Sequence, residues 1–548
     1  MPKQFHWLVW LRNGALLALA VAGALVLVER LWSPHPLPAA KPVRPGKRSA
    51  DDIRPVVRAV DAAFQDDWNR RGLQPAEPVD SLTLARRLST ALAGTVPSLQ
   101  EIRALETLPE GERTSWWLAH LFEDRRCSDY LAERLARAYV GVENGPFLVY
   151  RRRRLVDWLS DSLHENRRYD EIARALMDSS GVWTTRPEVN FVTATVEPKK
   201  GPDKAKLAAR VTRAFLGVRI DCVQCHDGKL GSPWKQKDFH QLAAWFAPAE
   251  MSLTGLHDTP GARYEFRYLR ATEASPIPPL VPWSPELVPA KGTQRERLAG
   301  WVTAPGNRPF ARAVVNRVWA LVFNRPLVTP VDDIPLHGPF PPGLEILADD
   351  FTAHGCDLQR LIRVIASTRV FQLDSRATDA GHPPAEASDA GWASFPLTRL
   401  RPEQMAGSVI QASSLTTLDA ETHVLFRIQR VLDLGNFVKR YGDFGEDEFG
   451  NQGGTIPQRL LMMNGEIVQN HTKKNPLFNA STRIGSLAPD DAVAVETAYL
   501  AAFTRRPTPE EARHFTAKLR GTKGDARSAV MADLCWTLLN STEFSWNH

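Results

Sequence analysis

Cys222-Val223-Gln224-Cys225-His226 is the stretch of this 548-residue chain whose residue types and spacing point most directly to chemistry. Five cysteines and fourteen histidines scattered at random yield C-x-x-C-H in about one such chain in a thousand, so the pentapeptide asks for a cause. Two thiols three residues apart reach both vinyl groups of one haem, and the adjoining imidazole then ligates the iron from the proximal side. That is the attachment pattern of c-type haem. A redox dithiol or disulfide at Cys222 and Cys225 and a metal site stay open as readings of the same residues. Zinc would need a second ligand pair, and Cys127, Cys356 and Cys535 are isolated from one another. No βαβ pattern surrounds the motif, which counts against a thioredoxin-like dithiol.

A sixth iron ligand would have to come from nearby, and His240, Met251 and His257 are the candidates. His240 lies between Trp234 and Phe246, where Phe239, Leu242, Ala243 and Phe246 mark the apolar stripe. At ~100° per residue it sits roughly 110° from the centre of that stripe, which predicts a solvated side chain. Other residues attract attention and reduce to ordinary roles. Arg151 to Arg154 reads as a solvated helix face with acidic neighbours, Asp332 and Asp333 as a capped turn after Pro330, and the sixteen tryptophans mostly as core. Asp443, Glu446, Asp447 and Glu448 lie among glycines but lack the EF-hand spacing. Nucleophile elbow, P-loop and dinucleotide fingerprint are all absent from the sequence.

The elements that must position the motif are helical. Leu82, Leu84, Leu88 and Leu92 fit one helix, and Leu131, Leu135 and Ala138 another. Leu207, Val211, Phe215 and Val218 form a stripe leading straight into the motif. Arg263 to Tyr268 alternates with period two and predicts a short half-buried strand. Six prolines between Pro276 and Pro289 then exclude a regular helix or a central strand and predict a domain boundary. Helical periodicity resumes at Asn307, a predicted N-cap before Pro309. Thr508-Pro509-Glu510-Glu511 predicts a capped helix from Pro509 to about Leu519. Ala377 to Ala393 and Phe444 to Gly454 read as loops. The expected fold is mainly α: two helical domains joined by a Pro-rich segment with a short β element, plus an N-terminal transmembrane anchor. Its divisions are an anchor at 1–32, a Pro-rich basic linker at 33–50, an α-rich domain bearing the motif at 51–250, a connector at 251–294 and a helical C-terminal domain at 295–548.

The formal charge of +6 is local. Residues 1–50 hold seven basic side chains and one acidic one, leaving 61 of each sign in the rest. A neutral body lacks the broad positive field that phosphate backbones require, so no nucleic-acid partner is expected. Gly14 to Val28 is free of charge, extended by apolar flanks and bracketed by Trp7, Trp10 and Trp32, which predicts an uncleaved signal anchor. Counting basic residues on its two sides would retain the body in the cytoplasm. Most of those after the segment lie beyond residue 40, and N-terminal apolar segments ordinarily direct export. The expected location is the cytoplasmic membrane, with a single pass and the body on the periplasmic side.

Phe215 to Asp227, with Trp234 and Asp238-Phe239, resembles the cytochrome-like domain of unknown function of planctomycete secreted proteins. Arg295 to Trp301, Asn307 to Trp319, Leu327 to Asp333 and Leu538 to Phe544 resemble its usual C-terminal companion domain, so the likeness covers nearly everything after residue 50. It implies a secreted, extracytoplasmic chain, while the haem expectation rests on C-x-x-C-H itself. Relatives continue Cys-His-Asp-His-Pro-Phe, whereas here Asp227 is followed by Gly228, Lys229 and Leu230, so the second histidine is missing. The functional expectation is electron transfer or haem-assisted redox chemistry with an extracytoplasmic redox or surface protein. The alternative is a non-enzymatic scaffold that holds a partner or polysaccharide at the cell surface, with Cys222 and Cys225 as a disulfide.

Overall fold

The computed structural model describes residues 14, 16 and 52–547, except 143–145, 147, 229–232, 270, 377–384, 420, 421, 423, 443–448, 450–454 and 476–478. The architecture is mainly helical, with four two-stranded antiparallel pairs among the described residues. None of the described helices is long and apolar enough to cross a membrane. The anchor expected at 1–32 and the linker at 33–50 lie outside the described residues, Gly14 and Leu16 apart.

Helix Arg308–Phe323 occupies the middle of the molecule. Every residue from Pro309 to Phe323 is buried, which its run of Ala, Val, Trp, Leu and Phe on all faces requires. Trp319 stacks on Phe323 with centroids 4.3 Å apart and on Phe64 at 5.8 Å, and meets Trp392 edge-on at 5.3 Å. Around this helix one hydrophobic core extends from Val60 to Phe395, with Leu500 from a C-terminal helix. A second core, from Leu400 to Phe544 with Val96, is built by the C-terminal helices.

Arg86 bridges the two cores, and Arg87 fastens the same helix within the first. Helix Ser81–Ala93 has all its residues buried except Thr83, including two guanidinium groups. Arg86 donates to the Ala502 carbonyl at 2.8 Å, and Arg87 to those of Phe371 and Leu373 at 2.9 and 2.8 Å while lying 3.6 Å from the centre of the Phe395 ring. These carbonyls are neutral, and burial pushes Arg87 down to about 9 and Arg86 to about 10.

The proline-rich segment does not interrupt the main core. Trp283, in its middle, packs 5.5 Å from Trp234 and 5.0 Å from Trp301, and donates to the Asn307 side-chain oxygen at 2.9 Å. A methyl group at Gly300 would come within 2.6 Å of the Pro289 ring, so only glycine lets the strap lie on helix Gln294–Val302. Arg295, at the start of that helix, is fully buried. It donates to Asp258 at 2.6 Å, to the Met177 and Ser179 carbonyls at 3.1 and 2.9 Å, and to Ser180 at 2.8 Å. Residues on both sides of the strap therefore share one interior.

Several local expectations turn out differently. Asn307 stands at the N-cap position as expected, but its side chain makes no cap hydrogen bond; its amide instead donates to the Trp301 carbonyl at 2.9 Å and accepts from Trp283. Residues 385–390, expected as loop, form the short helix Ala385–Ala390, whereas 377–384 lie outside the described residues. So does the acidic stretch 444–454, except for Phe449. Helix Pro509–Leu519 and strand Tyr264–Phe266 stand where their local signals place them.

Candidate functional site

The motif is presented at the end of a locked turn. Helix Lys204–Val211 widens into a single five-residue turn, Thr212–Leu216, which Gly217 ends in the left-handed conformation (φ 61°). A side chain there would be strained and would also meet Ala313 and Ile334 at 3.1 Å. The Gly217 carbonyl accepts from Ile334 N–H at 2.7 Å, tying this turn to the segment after the central helix.

Three buried residues, Val218, Ile220 and Val223, then pin the chain to the core. Because Val223 points inward from the 3₁₀ turn Asp221–Gln224, its neighbours point out, and Cys222, Cys225 and His226 are all exposed. The backbone around them is held by three donors: Gln236 N–H to Asp227 Oδ1 at 2.9 Å, Gln236 Nε2 to the Gln224 carbonyl at 2.9 Å, and His240 Nε2 to that same carbonyl at 3.1 Å.

His240 corrects the sequence reading. It is buried, not solvated. Strand Tyr264–Phe266 covers the face that the helix alone would leave in water, placing Phe266 3.5 Å away in a stack and the Tyr264 hydroxyl 2.9 Å from Nδ1. A carbonyl oxygen only accepts, so Nε2 carries the proton and Nδ1 accepts from Tyr264. Both nitrogens are thereby engaged, and His240 is a positioning residue for Gln224. Burial lowers its pKa, partly offset by the Gln224 carbonyl, and raises that of Tyr264 to about 12. Met251 and His257 are seated on the hairpin Ala249–Ser252 and Gly255–Asp258, whose Leu256 exchanges backbone hydrogen bonds with Gly181 at 2.8 and 2.9 Å.

Sequence reasoning missed the group that braces the motif from outside. Asp332 does lie in the expected turn, since Asp333 N–H donates to the Pro330 carbonyl at 3.2 Å. Its own carboxylate is buried, however, and accepts from Arg213 Nε at 2.8 Å and from Arg219 at 2.8 and 2.7 Å. These guanidinium groups outweigh the desolvation that would raise its pKa, and hold it below the usual carboxylate value. Asp332→Ala is expected to cost about 2 kcal/mol, because both guanidinium groups lose their bonds to a buried carboxylate and Arg213 keeps its longer contact to Asp221 at 3.9 Å. The folded pKa is depressed, so the stabilisation is present above the unfolded value near ~3.9 and is lost as pH falls. Urea unfolding should show a gap between the two proteins at pH 7 that narrows at pH 3.

Among the described residues, one group of three metal-ligating side chains converges: Glu101, His120 and Asp124. Its centre is already filled by protein. Arg126 bonds both Glu101 and Asp124, His120 lies 3.1 Å from Glu101, and Ser98 N–H donates to the second Glu101 oxygen at 2.8 Å. The arrangement is an ion-pair cluster closing a capping box on helix Leu99–Glu106.

A mainly helical chain whose exposed C-x-x-C-H turn is braced by a carboxylate from a following segment defines the class. Residues 59–251 match the family model described as PSCyt2, a protein of unknown function (DUF1549), and residues 294–431 match PSD1, a protein of unknown function (DUF1553). The chain thus carries these two domains of unknown function in that order, with the proline-rich strap between them. No curated protein and no solved structure matches it.

Proposed function

We propose that this chain is an exported, membrane-anchored protein that holds a c-type haem through thioether bonds to Cys222 and Cys225, with His226 as the proximal ligand. The observation that carries the reading is the hydrogen bond of His226 Nδ1 to the Asp227 carbonyl at 2.8 Å. A carbonyl cannot donate, so Nδ1 holds the ring proton and Nε2 keeps its lone pair, the tautomer that metal-ligating histidines adopt when a backbone carbonyl orients them. Two free, exposed thiols on one short turn complete a donor set that fits the group.

Bound haem would supply one-electron chemistry, in exchange with an extracytoplasmic protein. The residues of the chain do the rest. Val223 and Gly217 fix the turn, His240 and Gln236 hold the Gln224 carbonyl, and Asp332 immobilises Arg213 and Arg219. The N-terminal apolar segment would keep the body on the periplasmic face, where covalent attachment takes place.

Full-length protein matured in a host with c-type haem machinery is expected to retain haem stain after denaturation, because thioether bonds survive unfolding. Cys222→Ala with Cys225→Ala abolishes it. Stain that persists in the double variant, or wild-type protein that never stains, overturns the reading and leaves the surface scaffold.

A further inference from the structure

A second polar constellation lies in the C-terminal core, and the C-x-x-C-H turn does not use it. Helix Pro402–Ala412 ends at Ser413, helix Val424–Tyr441 contributes Asp433, and helix Glu466–Thr472 contributes His471. Ser413 Oγ is 2.8 Å from His471 Nδ1, and His471 Nε2 is 3.2 Å from Asp433 Oδ2. The three line a cavity of about 310 Å³, a volume at the lower end of ligand-sized clefts. Asn470 and Lys473 at its rim are exposed, so it opens to solvent.

The proton positions follow from the partners. A carboxylate only accepts, so the Asp433 contact places a proton on Nε2. In the neutral ring Nδ1 then has a lone pair facing Ser413, and the hydroxyl donates to it. Ser413 Oγ also lies 2.7 Å from the Ile410 carbonyl, which takes the hydroxyl proton whenever His471 is protonated. Nucleophile, base and orienting acid thus stand in the relation that activates a serine. The ring is turned relative to the common arrangement, with Nδ1 rather than Nε2 as the base.

We propose that Ser413, His471 and Asp433 form a serine-hydrolase site for esters of small, negatively charged acyl groups. Ser413 Oγ attacks the acyl carbon while its proton passes to His471 Nδ1, and Asp433 accepts from Nε2–H of the resulting imidazolium. As the ester C–O bond breaks, the alcohol leaves with the proton from Nδ1. Water then attacks the acyl-serine, giving a proton to the same nitrogen, which passes it to Ser413 Oγ as the acyl–Oγ bond breaks and the acid is released. The anionic class follows from the walls: Arg430 and Lys473 line the cavity, and the single carboxylate among its described lining residues, Asp433, is engaged by His471. Arg430 donates to the Leu418 carbonyl at 2.7 Å, and no described carboxylate lies in ion-pair contact with it. Burial, with the neighbouring Arg126, lowers its pKa from the ordinary value and outweighs the attraction of Asp124, Asp129 and Asp419.

The test is to treat the full-length protein with a fluorophosphonate and to map the adduct, alongside hydrolysis of p-nitrophenyl acetate and p-nitrophenyl hemisuccinate. An adduct on Ser413 and faster turnover of the hemisuccinate are expected. Asp433→Asn should slow both labelling and hydrolysis by about 100-fold or more while circular dichroism is unchanged. Arg430→Met should lower kcat/KM for the hemisuccinate about tenfold more than for the acetate. Wild-type protein without an adduct on Ser413 overturns the proposal and makes the hydroxyl a helix cap. Labelling with equal rates on the two esters overturns the anionic substrate class. The adduct map on wild type decides even if Ser413→Ala does not fold.

Discussion

Arg295→Ala is expected to lower the stability of the protein by about 4 kcal/mol, a large share of the roughly 5–15 kcal/mol that holds a typical domain folded. Arg295 is fully buried and reaches four acceptors, so its removal strands the Asp258 carboxylate and two backbone carbonyls and opens a cavity the size of a guanidinium. Arg295→Met fills most of that volume without restoring a donor, and is expected to recover only a minor part of the loss. Urea denaturation followed by tryptophan fluorescence and by circular dichroism tests this. Because the acceptors lie before the proline-rich strap and the donor after it, both probes should move together in one transition; an unchanged midpoint would show that the two sides are not energetically joined.

Glu101→Ala is expected to cost a similar ~4 kcal/mol, through a different mechanism. Glu101 takes Arg126, His120 and Ser98 N–H at once, and its loss leaves a buried guanidinium with Asp124 alone and opens the first turn of helix Leu99–Glu106. The Arg126 and His120 contacts outweigh desolvation and hold Glu101 well below the usual carboxylate range. Since Arg126 already fills the centre of the group, added zinc or EDTA should leave the wild-type melting temperature unchanged. A rise with zinc would show that the three ligands bind metal after all.

What could be read from the sequence was what is decided within a few residues. The helix from Pro509 was readable because Thr508 and Glu511 satisfy one another across one turn, at 3.3 and 2.7 Å. The strand at Tyr264 was readable from its own alternation. His240 was not, because the angle on its own helix carries no information about a strand that returns twenty-four residues later to cover it. Asp332 read as a turn residue, which its backbone is; that its side chain reaches back 119 and 113 residues to Arg213 and Arg219 has no local signature. Ser413, Asp433 and His471 come from three separate helices and follow no spacing rule, so only the fold brings them together. The motif itself was plain, since five adjacent residues carry it. Asn307 shows the opposite case: the local preference for the cap position is right, but its amide serves two tryptophans instead of capping.

Helix Ser81–Ala93 is among the first elements to leave the ribosome and among the last to find all its partners. Arg87 waits for Phe371 and Leu373, and Arg86 for the carbonyls of Ala502 and Phe544, the last of them 458 residues downstream. At roughly 5–20 residues per second of synthesis, that interval is on the order of a minute. During it the leucines of this helix can already pack on Leu118, Leu121 and Leu135, but its two buried guanidinium groups have no carbonyls to meet, and that side of the helix stays available to whatever chaperone meets the nascent chain.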